Sequence, residues 1–212
     1  MQLVDELKAE HLLIDRVGGA LVRFAEVASG GGIEPEYVED FVTFFRVYVA
    51  GYHHQREEES LFVVLVERAE ILPDRGPLAV MKADHRAAVA MVDELARAKY
   101  KADEAAGVAR RLAHHLWEHV DKEDSVLFPE SVDRLRRNGV VRLAGREPTV
   151  KEEATRELGE GLTERFPPLD DPEIVRGDGC IACSAFGETC SGIETEWWTS
   201  WERQHYRSLD EG

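Results

Sequence analysis

Apolar residues recur along the first two thirds of the chain at alternating steps of three and four, the spacing that gives a helix one buried stripe. From Leu3 to Ala28 they form two rows, with Val4, His11, Gly18 and Ala25 in one and Leu7, Ile14, Leu21 and Ala28 in the other. Ser29-Gly30-Gly31-Gly32 ends this helix, and Pro35 stands where a first-turn proline opens the next. A second helix is predicted from about Glu36 to Ile71, with Val42, Phe45, Val49, His53, Glu57 and Val64 along its inner face. After a loop at Pro73-Asp74-Arg75-Gly76-Pro77, a third helix aligns Leu78, Met81, His85, Ala88, Val92 and Leu95. The fourth begins near Asp103, read as its N-cap, and carries Val108, Leu112, His115, His119, Glu123 and Val126. Asn138-Gly139 closes it, and Pro129 is expected to bend its last turns.

Four amphipathic helices joined by short loops predict an all-α, up-down-up-down four-helix bundle over residues 1–140, a plan in which facing helices can build a metal site inside the core. Residues 141–212 form a C-terminal helical and irregular extension in this reading. Thr149 to Glu152 fits a capping box, and Val150, Ala154, Leu158, Leu162 and Phe166 make the stripe of a fifth helix. After Pro167-Pro168 the pattern turns irregular. A Cys-containing loop leads to a short helix with Trp197, Trp198, Trp201 and His205, expected to anchor a cap on the bundle or to form a dimer interface.

Polar residues interrupt the apolar stripes at matching places. His53 to Phe62 and His119 to Phe128 both read H-x-x-x-E-[ED]-x-x-L-F, and Lys8-Ala9-Glu10-His11 returns as Lys82-Ala83-Asp84-His85 ahead of the second copy. The chain is a duplicated helix pair. Residues four apart share a helix face with about 6 Å of rise between them, so each H-x-x-x-E segment aims an imidazole and a carboxylate at one neighbour. Burying His11, His53, His85, His119, Glu57 and Glu123 together is costly for charged groups, and a coordinated metal offsets that cost.

Two pairs of histidines imply two metal ions, with Glu57 and Glu123, one from each half, placed to span them. Imidazole and carboxylate donors suit iron, manganese or zinc, and the order differs from the Glu-x-x-His signature of ferritin-like bundles. His115, one turn before His119, is read as a further ligand or as a core histidine beside the site. Asp15, one turn after His11, is read as a ligand or as the acceptor that orients His11. His54 and His114 point away from the stripe and are expected at the surface. Cys180, Cys183 and Cys190, with His205, form a separate candidate for zinc, an iron–sulfur cluster or a redox thiol pair, or are small residues packing a cap.

With 212 residues, 43% hydrophobic and 32% charged, the chain can bury one sizeable core. Its net charge of -16 argues against nucleic acid or an anionic membrane surface as partner, because both require a basic patch. The N-terminal stretch carries acids where a secretory peptide has a basic start, no long apolar run follows, and the three cysteines do not form an even disulfide framework. A cytoplasmic location is expected, as monomer or homodimer.

The paired His/Glu segments, with seam histidines His11 and His85 and trailing Leu-Phe, resemble the hemerythrin family, specifically the hemerythrin-like HHE cation-binding domains, over about residues 1 to 136. That resemblance implies a non-haem pair of iron ions joined by an oxo or hydroxo bridge and two bridging carboxylates, with zinc or manganese as the lesser choices. It implies a protein that reacts with or senses a small oxidant, O₂, H₂O₂ or nitric oxide, with peroxide consumption as the enzymatic version. The alternative is an iron- or oxygen-sensing or metal-storing module without turnover. The chain departs from the oxygen carriers in two places. Val89 stands where they have a second third-helix histidine, which is expected to leave one metal position open. Their last carboxylate also comes five residues after its histidine, which would select Asp124, whereas symmetry with His53 and Glu57 selects Glu123.

Overall fold

A computed structural model describes residues 1–31, 34–74 and 76–169, and every regular element among them is helical. Helix α1 is Gln2–Gly31, α2 spans 35–69, α3 is Gly76–Arg97, α4 spans 102–137 and α5 is Val150–Arg165. The tail carrying Cys180, Cys183, Cys190, His205 and the tryptophans lies outside the described residues.

Two of these helices are not α-helical throughout. Helix α2 winds as a π-helix over Phe44–His54 and again over Glu57–Leu61, and α4 does so over Glu123–Leu127. Both copies of the repeat therefore widen at their glutamate and return to α-helix at their phenylalanine. Pro129, expected to bend the last turns, follows this wide turn directly and lies in the first turn of the α-helical segment Phe128–Arg137. Such turns are uncommon and tend to sit at functional sites.

Helix ends differ from expectation in two details. The N-cap of α4 is Lys101, and Asp103 lies in the first turn, where its charge meets the positive end of the helix dipole. Helix α2 stops at Ala69 because Glu70 takes a left-handed conformation, φ 56°, which turns Ile71 back into the core.

The bundle holds two separate apolar cores. One gathers Leu3, Val4 and Leu7 of α1, Leu61 and Leu65 of α2, Leu78 and Met81 of α3, and Leu127, Phe128 and Leu135 of α4. The other gathers Ile14, Leu21, Phe41, Phe45, Val92, Leu95, Leu112 and Leu116. His11, His53, Glu57, His85, His119 and Glu123 fall between the two sets on every helix, so a polar layer lies between two dry ones.

Helix α5 joins the larger core. Its capping box is present: Thr149 Oγ1 accepts from the Glu152 N–H at 3.3 Å, and Glu152 Oε2 accepts from the Thr149 N–H at 2.7 Å. The expected stripe is buried only in its second half. Leu162 and Phe166 face inward and Leu158 is half-buried, but Val150 and Ala154 are exposed, and Glu152, Thr155, Gly159 and Thr163 complete the buried face. Phe166 packs edge-on to Phe24 and Tyr37, with ring centroids 5.6 and 5.1 Å away. At Gly159 a Cβ would meet Phe44 at 2.4 Å, so only glycine allows this close approach.

Candidate metal centre

Each helix of the bundle sends its polar residues into the middle layer. His11 comes from α1, His53, His54 and Glu57 from α2, His85 from α3, and His119 and Glu123 from α4. All seven are buried. They form two groups whose nitrogen and oxygen atoms lie within 4.8 Å of one another: His11, His53, Glu57 and Glu123 in one, His54, Glu57, His85 and His119 in the other. Glu57 belongs to both. Glu123 also reaches across, with Oε2 3.2 Å from His11 Nε2 and 3.3 Å from His119 Nε2.

The outer shell repeats the duplication. In each half the acid before the seam histidine backs the imidazole of its own H-x-x-x-E segment: His53 Nδ1 is 2.8 Å from Glu10 Oε2, and His119 Nδ1 is 3.6 Å from Asp84 Oδ2. The acid after each inner glutamate crosses to the other half. Glu58 Oε1 lies 2.6 Å from His85 Nδ1, and Asp124 Oδ1 lies 3.1 Å from His11 Nδ1. The cation before each glutamate then holds the backing acid, since Arg56 donates to Glu10 and Lys122 donates to Asp84 Oδ2 at 2.8 Å. Carboxylates behind imidazoles fix the ring orientation and leave Nε2 as the inward donor atom.

The arrangement places the remaining sequence candidates. Asp124 stands behind His11 and belongs to neither inner group, while Glu123 is inside. Asp15 is not the acceptor behind His11, and its carbonyl accepts from Trp117 Nε1 at 3.3 Å. His115 is also outside both groups, with Nε2 2.8 Å from the Asp84 carbonyl oxygen. His114 is half-buried and stacks on Trp117.

His54 corrects the surface expectation. It is 4% exposed, and its ring lies parallel to that of His85 with centroids 3.9 Å apart. On an ordinary α-helix a residue next to His53 is turned away by about 100°. His54 ends the π-helical stretch Phe44–His54, and that wider winding lets neighbouring residues share the interior. With Val89 on α3, it is His54 of α2 that stands as an additional imidazole beside His85 and His119. Val89 is 40% exposed and lines a surface cavity with His54.

The electrostatics of these residues call for a cation. All four oxygens of Glu57 and Glu123, and Nε2 of both His85 and His119, are buried without a hydrogen-bond partner. His11 Nε2 and His53 Nε2 lie 3.1 Å apart, nitrogen facing nitrogen. With protons as the only cations, the groups share them unevenly. Burial opposes charge on His11 and His85, yet Asp124 and Glu123 raise the first to about 10, and Glu57 and Glu58 raise the second to about 10. Burial lowers His119 to about 3 against the pull of Asp84. Burial and the neighbouring Glu57 push Glu123 up to about 8, while Glu57 is held below the usual carboxylate range because His53 and His85 outweigh its burial. Metal ions bound by deprotonated imidazoles and carboxylates would replace those protons.

The sequence profile of the hemerythrin HHE cation binding domain matches residues 2–131. No curated protein and no solved structure matches the chain. Among the described residues no helix is long and apolar enough to cross a membrane. The matched span covers the two-group His/Glu layer from His11 to Glu123, and the chain belongs to the hemerythrin HHE cation-binding domain family, as a metal-binding helical protein.

Proposed function

We propose that the protein is a non-haem di-iron protein that reacts with or senses a small oxidant, O₂, H₂O₂ or nitric oxide. The observation that carries this reading is the sharing of Glu57 between two buried histidine groups, which fits two adjacent metal ions rather than one. His11 and His53 would hold one ion, His54, His85 and His119 the other, with Glu57 and Glu123 spanning both. Iron at such a site supplies redox chemistry and Lewis acidity toward small oxidants. The chain's own part is to orient the carboxylate-backed donors and to close the layer off at its two ends. Glu10, Glu58, Asp84 and Asp124 set the imidazole orientations, and the apolar cores on either side exclude bulk water.

The four helices of residues 1–140 are read as up-down-up-down. Support comes from the order in which they pass the cores: α1 and α3 start in the smaller core and end in the larger, and α2 and α4 do the reverse. A cytoplasmic protein, monomeric or homodimeric, suits this reading.

Metal analysis and an optical spectrum of aerobically purified protein test the proposal. About two irons per chain and the near-ultraviolet band of an oxo-bridged ferric pair are expected; one tight zinc and no iron after growth in ample iron would refute it. A sensing role without turnover has one observation in its favour. Arg146, in the segment leading to α5, donates to the Gly51 carbonyl at 2.9 Å and to Gln55 Oε1 at 3.1 Å, linking that segment to the turns that carry His53 and His54. Absence of peroxide turnover, with metal-dependent protease protection of residues 141–212, would select it.

A further inference from the structure

A cavity of about 510 Å³ opens to solvent beside the His54–His85 ring stack, between α2 and α3. Ala50, Gly51 and Val89 give it apolar lining, and His54 and His85 are the imidazoles it reaches. A narrower apolar cleft lined by Phe45, Val49, Ala88 and Val92 adjoins it and also reaches His54. Small molecules therefore have a path from solvent to two imidazoles of this polar layer.

His54 differs from the other four imidazoles in two ways. Its counterpart in the second half is Val120, so it stands outside the twofold pattern of the site. Its Nδ1 is buried with neither a hydrogen bond nor a facing carboxylate, whereas the Nδ1 atoms of His11, His53 and His85 lie 2.6–3.1 Å from Asp124, Glu10 and Glu58, and that of His119 lies 3.6 Å from Asp84. A carboxylate at the second nitrogen fixes a metal-bound imidazole. Ring contacts to His85, His119 and His53, with no carboxylate to anchor it, leave the His54 ring able to change rotamer toward the adjoining space.

We propose that this cavity is the port through which small uncharged ligands reach the metal layer, and that His54 is the movable imidazole that turns aside to admit them. The inference rests on the di-iron reading above. Selection against anions follows from the rim, where Glu58 and Glu59 outnumber Arg86 in a chain of net charge -16. Like charge slows the approach of an anion and leaves an uncharged molecule unaffected.

Stopped-flow association of nitric oxide and of azide with the iron-loaded full chain tests the port. Val89→Phe, which narrows the cavity without touching a donor residue, should slow nitric oxide association by about tenfold at unchanged iron content. His54→Ala should accelerate it, and added salt should speed azide while leaving nitric oxide alone. A second arm uses cobalt-loaded His54→Ala with free imidazole as probe. Imidazole should refill the site and shift the cobalt spectrum saturably, and Val89→Phe in that background should slow the shift. Equal nitric oxide rates in the wild type and Val89→Phe, or a cobalt spectrum indifferent to imidazole, would overturn the proposal. Wild-type protein that loads iron yet binds no nitric oxide, while imidazole still restores the cobalt spectrum, would refute the oxidant reading and uphold the port.

Discussion

Arg56→Met should weaken both the fold and the metal centre, and the structure sets the size of each effect. Arg56 is 2% exposed, and its guanidinium donates to Glu6 and Glu10 and lies 4.8 Å over the Tyr52 ring. Methionine keeps much of the stem and removes the charge. Glu6 is 37% exposed in its side chain, so that pair is screened and contributes at most about 1 kcal/mol. Glu10 is different: its side chain is 11% exposed and would be left facing His53 alone. Removing one partner of a buried pair costs about 3 kcal/mol, which for a chain of this size lowers Tm by roughly 9 °C. Loosening of the Glu10–His53 contact should reduce metal affinity by about 10- to 100-fold, the usual effect of losing a carboxylate behind a ligating imidazole. Denaturant unfolding of the metal-free protein reads the first number, and competition with a chromophoric chelator for cobalt reads the second. Arg56→Lys, which keeps charge but not the forked donor, should fall between. An Arg56→Met protein with wild-type cobalt affinity would refute the claim that this ion pair positions His53.

Three further outcomes follow from separate parts of the molecule. Gly159→Val should destabilise by about 1–3 kcal/mol through the clash with Phe44, and a thermal melt matching the wild type would show that α5 packs elsewhere. Arg146, the largest influence, lowers the Glu152 carboxyl from 4.5 to about 2, so its stabilisation is present above pH 4.5 and lost as pH falls through about 2. Glu152→Gln should therefore cost about 1 kcal/mol near neutrality and nothing by about pH 2, and a constant difference across an acid titration would contradict this. Because His11 and His85 hold protons up to about pH 10 and Glu123 up to about pH 8 in the metal-free chain, metal uptake at neutral pH should release about three protons, and apparent affinity should climb steeply from pH 6 to 9. A flat pH profile would count against all three as ligands.

Most of the inner layer was legible because stripe and chemistry coincide: His11, His53, His85, His119, Glu57 and Glu123 sit where the apolar spacing requires burial, and the duplication ties the halves together. His54 was not legible, since a fixed turn of 3.6 residues directs it outward and the π-helical stretch that brings it in has no simple sequence mark. The outer acids were visible as repeated letters, Glu10 with Asp84 and Glu58 with Asp124, but which imidazole each backs depends on crossing between halves. In α5 the i, i+4 row from Val150 to Phe166 held at Leu162 and Phe166 and misled at Val150 and Ala154, because the close approach of Gly159 to Phe44 decides which face docks. The single glycine was the overlooked signal.

The wide turns of α2 and α4 bear on how this chain tolerates insertions and deletions. A regular helix advances about 100° per residue, so one residue gained or lost swings everything downstream to another face. A π-helical stretch absorbs a surplus residue without that swing, and the surplus is what holds His53 and His54 both inside. Deleting a residue such as Gly51 would let α2 relax to ordinary winding and turn one imidazole outward while composition barely changed. Alignment of this segment to a purely α-helical homologue accordingly calls for a gap within Phe44–His54, in the middle of a helix, where gaps are ordinarily penalised most.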